Sequence, residues 1–308
     1  MNDRDRYLGC LLGLAVGDAY GAPFEGAWRG SFEVPDDYET DGTHSEKRGE
    51  WTDDTSLALC LADSLLAKKE LDLGDVAERF HRWYREGYNS SREEAFGIGG
   101  TCKKAIEAFE KSGKADSGLQ DYYSAGNGSV MRLAPVPMVF AFDFHLVARM
   151  SEKSSRVTHQ AKQALDCCRI LGFAVANLLR GASKAQALNS LHKAFEEEVH
   201  NEVLPIIKGS YQTAEADTID TTAYVVKTLE AALWAFWNAN GFFNGLKNLI
   251  ALGGDTDTIG AVYGQLAGAF YGRDGIPEGL VDGLYEAEMI QRKALSLLEL
   301  SKELGARE

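Results

Sequence analysis

The sequence predicts an all-α protein, and three observations carry that prediction. Apolar residues recur at spacings of three and four along most of the chain, alternating runs that would mark half-buried strands are nearly absent, and the six prolines fall at helix boundaries or in connections. Those prolines stand at positions 23, 35, 135, 137, 205 and 277. At 308 residues, 45% hydrophobic and 25% charged, the composition is that of an ordinary globular protein. No long flexible linker interrupts the pattern, so residues 1–308 read as one domain.

Taken in order, the first helix spans 6–20 and stops at Pro23, which cannot extend it. A loop over 22–51 leads to a helix at 55–69, with Thr52 as its N-cap and acids in the first turn, where the macrodipole favours them. Leu57, Leu61 and Leu65 follow at helical spacing. Helices at 74–86 and 101–111 flank a loop at 87–100, and a further loop covers 112–130. Periodicity then gives helices at 159–180, 184–198 and 221–238, with a loop at 209–220. Gly253-Gly254 separates a helix at 242–251 from one at 257–271 that carries Ile259, Val262, Leu266 and Phe270, and a last helix runs over 279–303.

Two glycine rows need a physical reason, because glycine costs about 1 kcal/mol relative to alanine inside a helix. Gly9, Gly13, Gly17 and Gly21 recur every four residues, as do Gly260, Gly264, Gly268 and Gly272. Such rows form grooves that admit a second helix at close range. Mutual packing of the first and ninth helices is one reading; packing of each on a separate neighbour is the other.

The net charge of −14 argues against electrostatic capture of nucleic acid or of an anionic membrane. No run of about 18 apolar residues exists, and the N-terminus lacks the basic-then-apolar order of a signal peptide. A soluble cytoplasmic protein is expected. Five cysteines, of which only Cys167 and Cys168 are close, give neither a disulfide framework nor a CxxC metal pattern.

Chemistry concentrates in two short acidic clusters, Thr52-Asp53-Asp54-Thr55 and Asp255-Thr256-Asp257-Thr258, each at a loop-to-helix junction. One such aspartate is commonly only a helix cap. Four aspartates brought together without cations would repel one another and raise their pKa values, whereas two divalent cations would balance them. All candidate ligands are oxygens, which favours Mg²⁺ or Mn²⁺ over Zn²⁺. In the second cluster Asp255 should stand just outside the first turn, with Asp257 and Thr258 inside it. Three further segments carry glycine or polar signals: Gly17-Asp18-Ala19-Tyr20-Gly21-Ala22 with Glu25 in the loop beyond, Gly97-Ile98-Gly99-Gly100-Thr101, and Gly126-Asn127-Gly128-Ser129-Val130-Met131-Arg132. Glycine-rich turns ahead of helices expose backbone N–H groups to phosphate oxygens, although most such turns only reverse the chain.

In this order the segments resemble the ADP-ribosylglycohydrolase family, over about residues 5 to 275. That resemblance implies a compact orthogonal multi-helix bundle with two Mg²⁺ or Mn²⁺ ions at the base of an ADP-ribose cleft. Thr52, Asp53, Asp54, Asp255, Asp257 and Thr258 match the family's metal-ligand positions. Glu25 matches a mobile-loop glutamate that positions water or gates the cleft. Asn127, Gly128 and Ser129 match a loop that contacts ribose and phosphates, and His159 matches a histidine lining the cleft.

One position departs from the pattern. Bacterial arginine-specific members commonly have Phe-Asp-Ile-Gly where this chain has Phe96-Gly97-Ile98-Gly99. The serine-linked branch has a glycine-rich segment there instead, while the neighbouring stretch at 82–91 resembles the arginine type. The resemblance implies hydrolysis at the distal ribose C1″ of an ADP-ribosylated protein, with ADP-ribose as product and arginine as the expected acceptor. Asp53, Asp54 and Glu25 are the candidate catalytic carboxylates, and Gly97, Gly99 and Gly100 are candidate ligand-binding positions. Serine-linked or O-acyl hydrolysis, or an ADP-ribose-binding member of weakened activity, stays open. An unrelated helical enzyme of diphosphate chemistry is the remaining alternative, but it would place its aspartates inside helices rather than at their starts.

Overall fold

The computed structural model describes residues 1–196 and 199–307. Among them are fourteen α-helices: α1 (Asp3–Gly21), α2 (Asp53–Lys68), α3 (Leu73–Glu86), α4 (Gly100–Ser112), α5 (Pro135–Phe140), α6 (Phe144–Ser155), α7 (Lys162–Leu179), α8 (Lys184–Phe195), α9 (Leu204–Ile207), α10 (Val225–Asn238), α11 (Phe242–Ile250), α12 (Thr256–Tyr271), α13 (Glu278–Gly283) and α14 (Ala287–Gly305). Two isolated bridges, Leu119 with His159 and Gly126 with Tyr224, are the extended pairings among the described residues. The fold is all-α, and no helix is long and apolar enough to cross a membrane.

The two glycine rows face each other. A Cβ placed on Gly9, Gly13, Gly17 or Gly21 would lie under 3.0 Å from backbone atoms of Gly268, Gly264, Gly260 and Thr256 respectively, so α1 and α12 run antiparallel with their backbones in contact. Gly272 closes the second row differently, as the left-handed residue that ends α12. Nearly every residue of both helices is buried, because α7, α10, α11 and α14 pack around the pair. A central pair this close needs bare glycine, which explains why its helix-propensity cost is tolerated.

Several helix limits differ from the sequence reading. Residues 159–161 precede α7 rather than opening it, because Gln160 N–H donates to the Leu119 carbonyl at 2.8 Å and holds that stretch extended. Residues 221–224 likewise stay out of α10; the Thr221 carbonyl accepts from Asp255 N–H at 2.9 Å. The expected last helix is split into α13 and α14, with Leu284 extended and Glu286 left-handed. At that break Tyr285 N–H donates to the Gly49 carbonyl at 3.0 Å, and its own carbonyl receives the Trp51 indole N–H at 3.0 Å. The interruption thus anchors the loop that delivers the first acidic cluster. Helix α8 ends at Phe195; the last two positions of the expected 184–198 helix lie outside the described residues. Helices α5, α6 and α9 were not expected.

Candidate active site

The first acidic cluster is set by a residue of α1. Asp18 is fully buried and its carboxylate accepts four hydrogen bonds: from Thr52 N–H at 3.0 Å, Thr52 Oγ1 at 2.9 Å, Thr55 N–H at 3.0 Å and Thr55 Oγ1 at 2.6 Å. Thr52 occupies the N-cap position of α2, yet its side chain caps no backbone N–H of that helix. An aspartate from the neighbouring helix does so instead. Sequence reasoning singled out the segment 17–22 but gave Asp18 no role. The available signal was the one charged residue in the stretch 7–21 of α1, which is otherwise glycine and apolar side chains.

With the capping done by Asp18, the two aspartates that open α2, Asp53 and Asp54, are left for other use. Asp53 reaches the wall of a cleft of about 200 Å³, while Asp54 lies behind it with Oδ1 buried and without a hydrogen-bond partner. The second cluster arrives from a tight backbone knot. Gly26 N–H donates to the Gly254 carbonyl at 2.8 Å, and Gly254 N–H donates to the Ala27 carbonyl at 2.9 Å. Gly253 and Gly254 both have positive φ, and a side chain on either would strike backbone of the facing segments. Asp255 stands just before α12, with Asp257 and Thr258 in its first turn, as the spacing predicts. Asp255, Asp257 and Thr258 line the same cleft as Asp53 and Glu25. Carboxylate oxygens of Glu25, Asp255 and Asp257 lie within 4.8 Å of one another.

So much buried negative charge shifts proton affinities upward. Burial is the largest cause for Asp53, Asp54 and Asp257, and neighbouring carboxylates add to it, so all three sit well above the usual carboxylate range. Burial also raises Asp18, to about 6, against the lowering effect of its four donors. Glu25 is raised by burial, while its 2.8 Å contact to His44 Nε2 works in the opposite direction. His44 packs edge-on against Phe96, and the Thr43 hydroxyl donates to the Glu25 carbonyl at 2.6 Å, so the Glu25 loop is tied on both sides of its side chain. The sequence reading had no role for His44.

Glycine forms much of the remaining wall. Gly97, Gly99, Gly100, Gly126, Asn127, Gly128 and His159 all line the cleft. Gly97 has a φ of 79°, and a Cβ there would come to 2.8 Å from Asp53 Oδ1. The Asn127 amide donates to Asp255 Oδ2 at 2.6 Å and to Thr228 Oγ1 at 2.8 Å, linking this wall to the second acidic cluster. Ser129 turns away: it is buried, and its hydroxyl accepts from the Cys168 thiol at 3.3 Å. Arg132, also buried, donates to the Gly128 carbonyl and, at 2.7 Å, to Thr158 Oγ1. Thr158 Oγ1 in turn lies 2.8 Å from His159 Nδ1. Burial, and then Arg132, push the His159 imidazole down to about 3, so the ring is neutral at ordinary pH.

The cleft therefore joins a cluster of carboxylates needing positive charge to a wall of exposed backbone able to approach a ligand closely. Comparison with known proteins agrees with this geometry. The sequence profile described as ADP-ribosylglycohydrolase matches residues 1–307. An ADP-ribosylarginine hydrolase Tri1 from Serratia proteamaculans is 37% identical over 302 residues, covering 97% of this chain and 80% of the relative. An ADP-ribosyl-[dinitrogen reductase] glycohydrolase from Rhodospirillum rubrum is 31% identical over 315 residues, covering 96% of this chain and 97% of the relative. A solved structure of an ADP-ribosylglycohydrolase-related protein complex superposes with a TM-score of 0.87 at 38% identity, over 97% of this chain and 99% of that one.

Proposed function

The chain belongs to the ADP-ribosylglycohydrolase family, and we propose that its cleft cleaves ADP-ribose from modified arginine side chains of proteins at the distal ribose C1″. The observation that carries this reading is the convergence of Asp53, Asp255, Asp257 and Glu25 on one cleft with a glycine-rich wall. Arginine linkage is favoured over serine or O-acyl linkage by the relatives named for ADP-ribosylarginine.

The residues fit divalent cations. The donor set is all oxygen, burial and neighbouring carboxylates raise the proton affinity of three of its aspartates, and Asp54 Oδ1 is buried with no partner. Thr52, Asp53, Asp54, Asp255, Asp257 and Thr258 would hold Mg²⁺ or Mn²⁺, with Glu25 at the edge of the same group. Bound there, the ions would supply charge that holds vicinal ribose hydroxyls and makes water more acidic.

The protein's own groups then do the rest. Gly99, Gly100, Gly126 and Gly128 let backbone approach the diphosphate, and neutral His159 closes the wall without adding charge. Water attacks C1″ through an oxocarbenium-like transition state; the C1″–N bond breaks, and the bonding pair leaves on the guanidine nitrogen. Glu25 accepts the proton of the attacking water and gives it up for the departing guanidine nitrogen, so arginine leaves as guanidinium and the carboxylate is regenerated. Its half-buried position and raised proton affinity suit that duty better than Asp53 or Asp54, which lie deeper among the acids. Measured release of ADP-ribose from arginine-linked and serine-linked substrates, with and without chelator, tests the proposal. Release from the serine-linked substrate alone, or release indifferent to chelator, would overturn it.

A further inference from the structure

Beyond the carboxylates the cleft opens into a second depression. A groove of about 580 Å³ continues from Glu25, Ala223 and Asp255, which line both spaces. None of the glycines at 97, 99, 100, 126 and 128 lines it, so it leaves the acidic centre by a route distinct from the glycine wall. Ala27, Ile219 and Leu252 make its surface apolar, and Trp28 stands beside them with 83% of its area exposed. An indole is the largest apolar side chain, and one left in water beside an active cleft is a contact surface without its contact.

The backbone beneath Trp28 is fixed rather than loose. Besides the Gly26 and Gly254 bonds, Arg29 donates to the carbonyls of Ala216 at 2.9 Å, Ile219 at 2.6 Å and Leu252 at 3.3 Å. Arg29 is the one cation lining the groove among the described residues, and its guanidinium is committed to those carbonyls. Asp220 lines the groove and is exposed, and exposed Asp217 lies three residues before it, so the groove presents an aromatic face with an acidic edge. The bond to be cut joins ADP-ribose on one side and a polypeptide on the other. If the glycine wall takes the diphosphate, the polypeptide must leave past Glu25 and Asp255, where this groove begins.

We propose that the groove receives the acceptor protein's chain flanking the modified arginine, as a basic segment packed on Trp28 with its cations toward Asp217 and Asp220. This rests on the reading of the cleft as an ADP-ribosylarginine hydrolase. The test compares free ADP-ribosyl-arginine with an ADP-ribosylated peptide whose modified arginine is flanked by lysines, on the wild type, Trp28→Ala and Asp220→Asn. Both side chains are exposed, and asparagine keeps the Oδ1 that accepts Thr222 N–H, so the variants retain the fold. KM for the peptide should rise about fivefold in each variant, with its kcat and both constants for the free amino acid unchanged. An unchanged peptide KM in both variants would overturn the inference. An equal rise of KM for free ADP-ribosyl-arginine would also overturn it, by assigning the groove to the nucleotide. Turnover of the free amino acid by the wild type reports on the reaction alone; its absence would sink the reading of the cleft and the inference with it.

Discussion

Asp18 and Thr52, 34 residues apart, are joined by two hydrogen bonds to one carboxylate, from the threonine's N–H and from its hydroxyl. That joint sets the start of α2 against the central helix pair and points Asp53 toward the cleft. Asp18→Asn would turn an amide N–H toward at least one of four donors and leave a buried N–H unpaired. A loss of about 3 kcal/mol in stability is expected. Denaturant unfolding checks it, with Mg²⁺ affinity by calorimetry falling in parallel; an unchanged midpoint would mean that Asp18 is only one of several determinants.

Cation binding and pH should be linked in a defined direction. Asp53, Asp54 and Asp257 have folded-state proton affinities above their unfolded ones. In metal-free protein their contribution to stability is therefore present below the unfolded carboxylate pKa and lost as pH rises. In EDTA the melting temperature should fall as pH rises from 5 to 8. Saturating Mg²⁺ should raise it more at pH 8 than at pH 5, since ligands must be deprotonated to bind. Asp54→Asn should raise the EDTA midpoint at pH 8 and abolish the Mg²⁺ increment. A Mg²⁺ increment equal at both pH values would contradict the carboxylate assignment.

How far the sequence speaks depends on what carries the signal. The acidic clusters were legible because helix starts have a grammar of their own, and the glycine rows because their spacing has a physical cost. Helix α5 was not legible: it is six residues with two prolines, buried on every side, so it has no polar face to set a period. Helix α6 was hidden because its buried face includes Ser151, Ser154 and Ser155, which a hydrophobicity pattern reads as surface. That face contacts α7 closely, and a Cβ on Gly172 would strike Ser151 Oγ. Asp18 and Arg132 are buried charges whose partners come from distant elements, and spacing along one segment cannot reveal such partners.

Gly97 illustrates the difference between a missing side chain and a required backbone. From sequence alone, restoring the aspartate of arginine-specific relatives at this position should speed hydrolysis of ADP-ribosyl-arginine. The structure predicts the opposite for this chain. Its φ of 79° disfavours any Cβ, and that Cβ would lie 2.8 Å from Asp53 Oδ1 and 3.3 Å from Thr52 Cβ. Gly97→Asp should therefore lower kcat at least about tenfold, as an added carboxylate displaces or repels Asp53, and cost about 1–2 kcal/mol of stability. Gly97→Ala should show the strain without the charge. A rate gain in the folded aspartate variant would restore the sequence-based expectation.

The glycine contact between α1 and α12 should act on both stability and the site, with a gradient along its length. Gly260 meets Gly17, the residue before Asp18, and lies one turn beyond Asp257; Gly268 meets Gly9 at the far end. A methyl at either place must drive the helices apart, costing about 1–3 kcal/mol as an overpacked core, against a gain of about 1 kcal/mol in helix propensity. Near Gly260 the displacement also separates the helix carrying Asp18, and through it α2, from the one carrying Asp257. Gly260→Ala should therefore lose Mg²⁺ affinity as well as stability, whereas Gly268→Ala should lose stability with affinity largely kept. Gly279→Ala, where an added Cβ meets nothing within 4 Å, should be neutral or mildly stabilising and serves as the control. Unfolding midpoints and Mg²⁺ titrations of the three variants decide the matter. Equal affinity in the Gly260 and Gly268 variants would show that the two acidic clusters are held together by the loops around Glu25 and Gly254, and not by the helix pair.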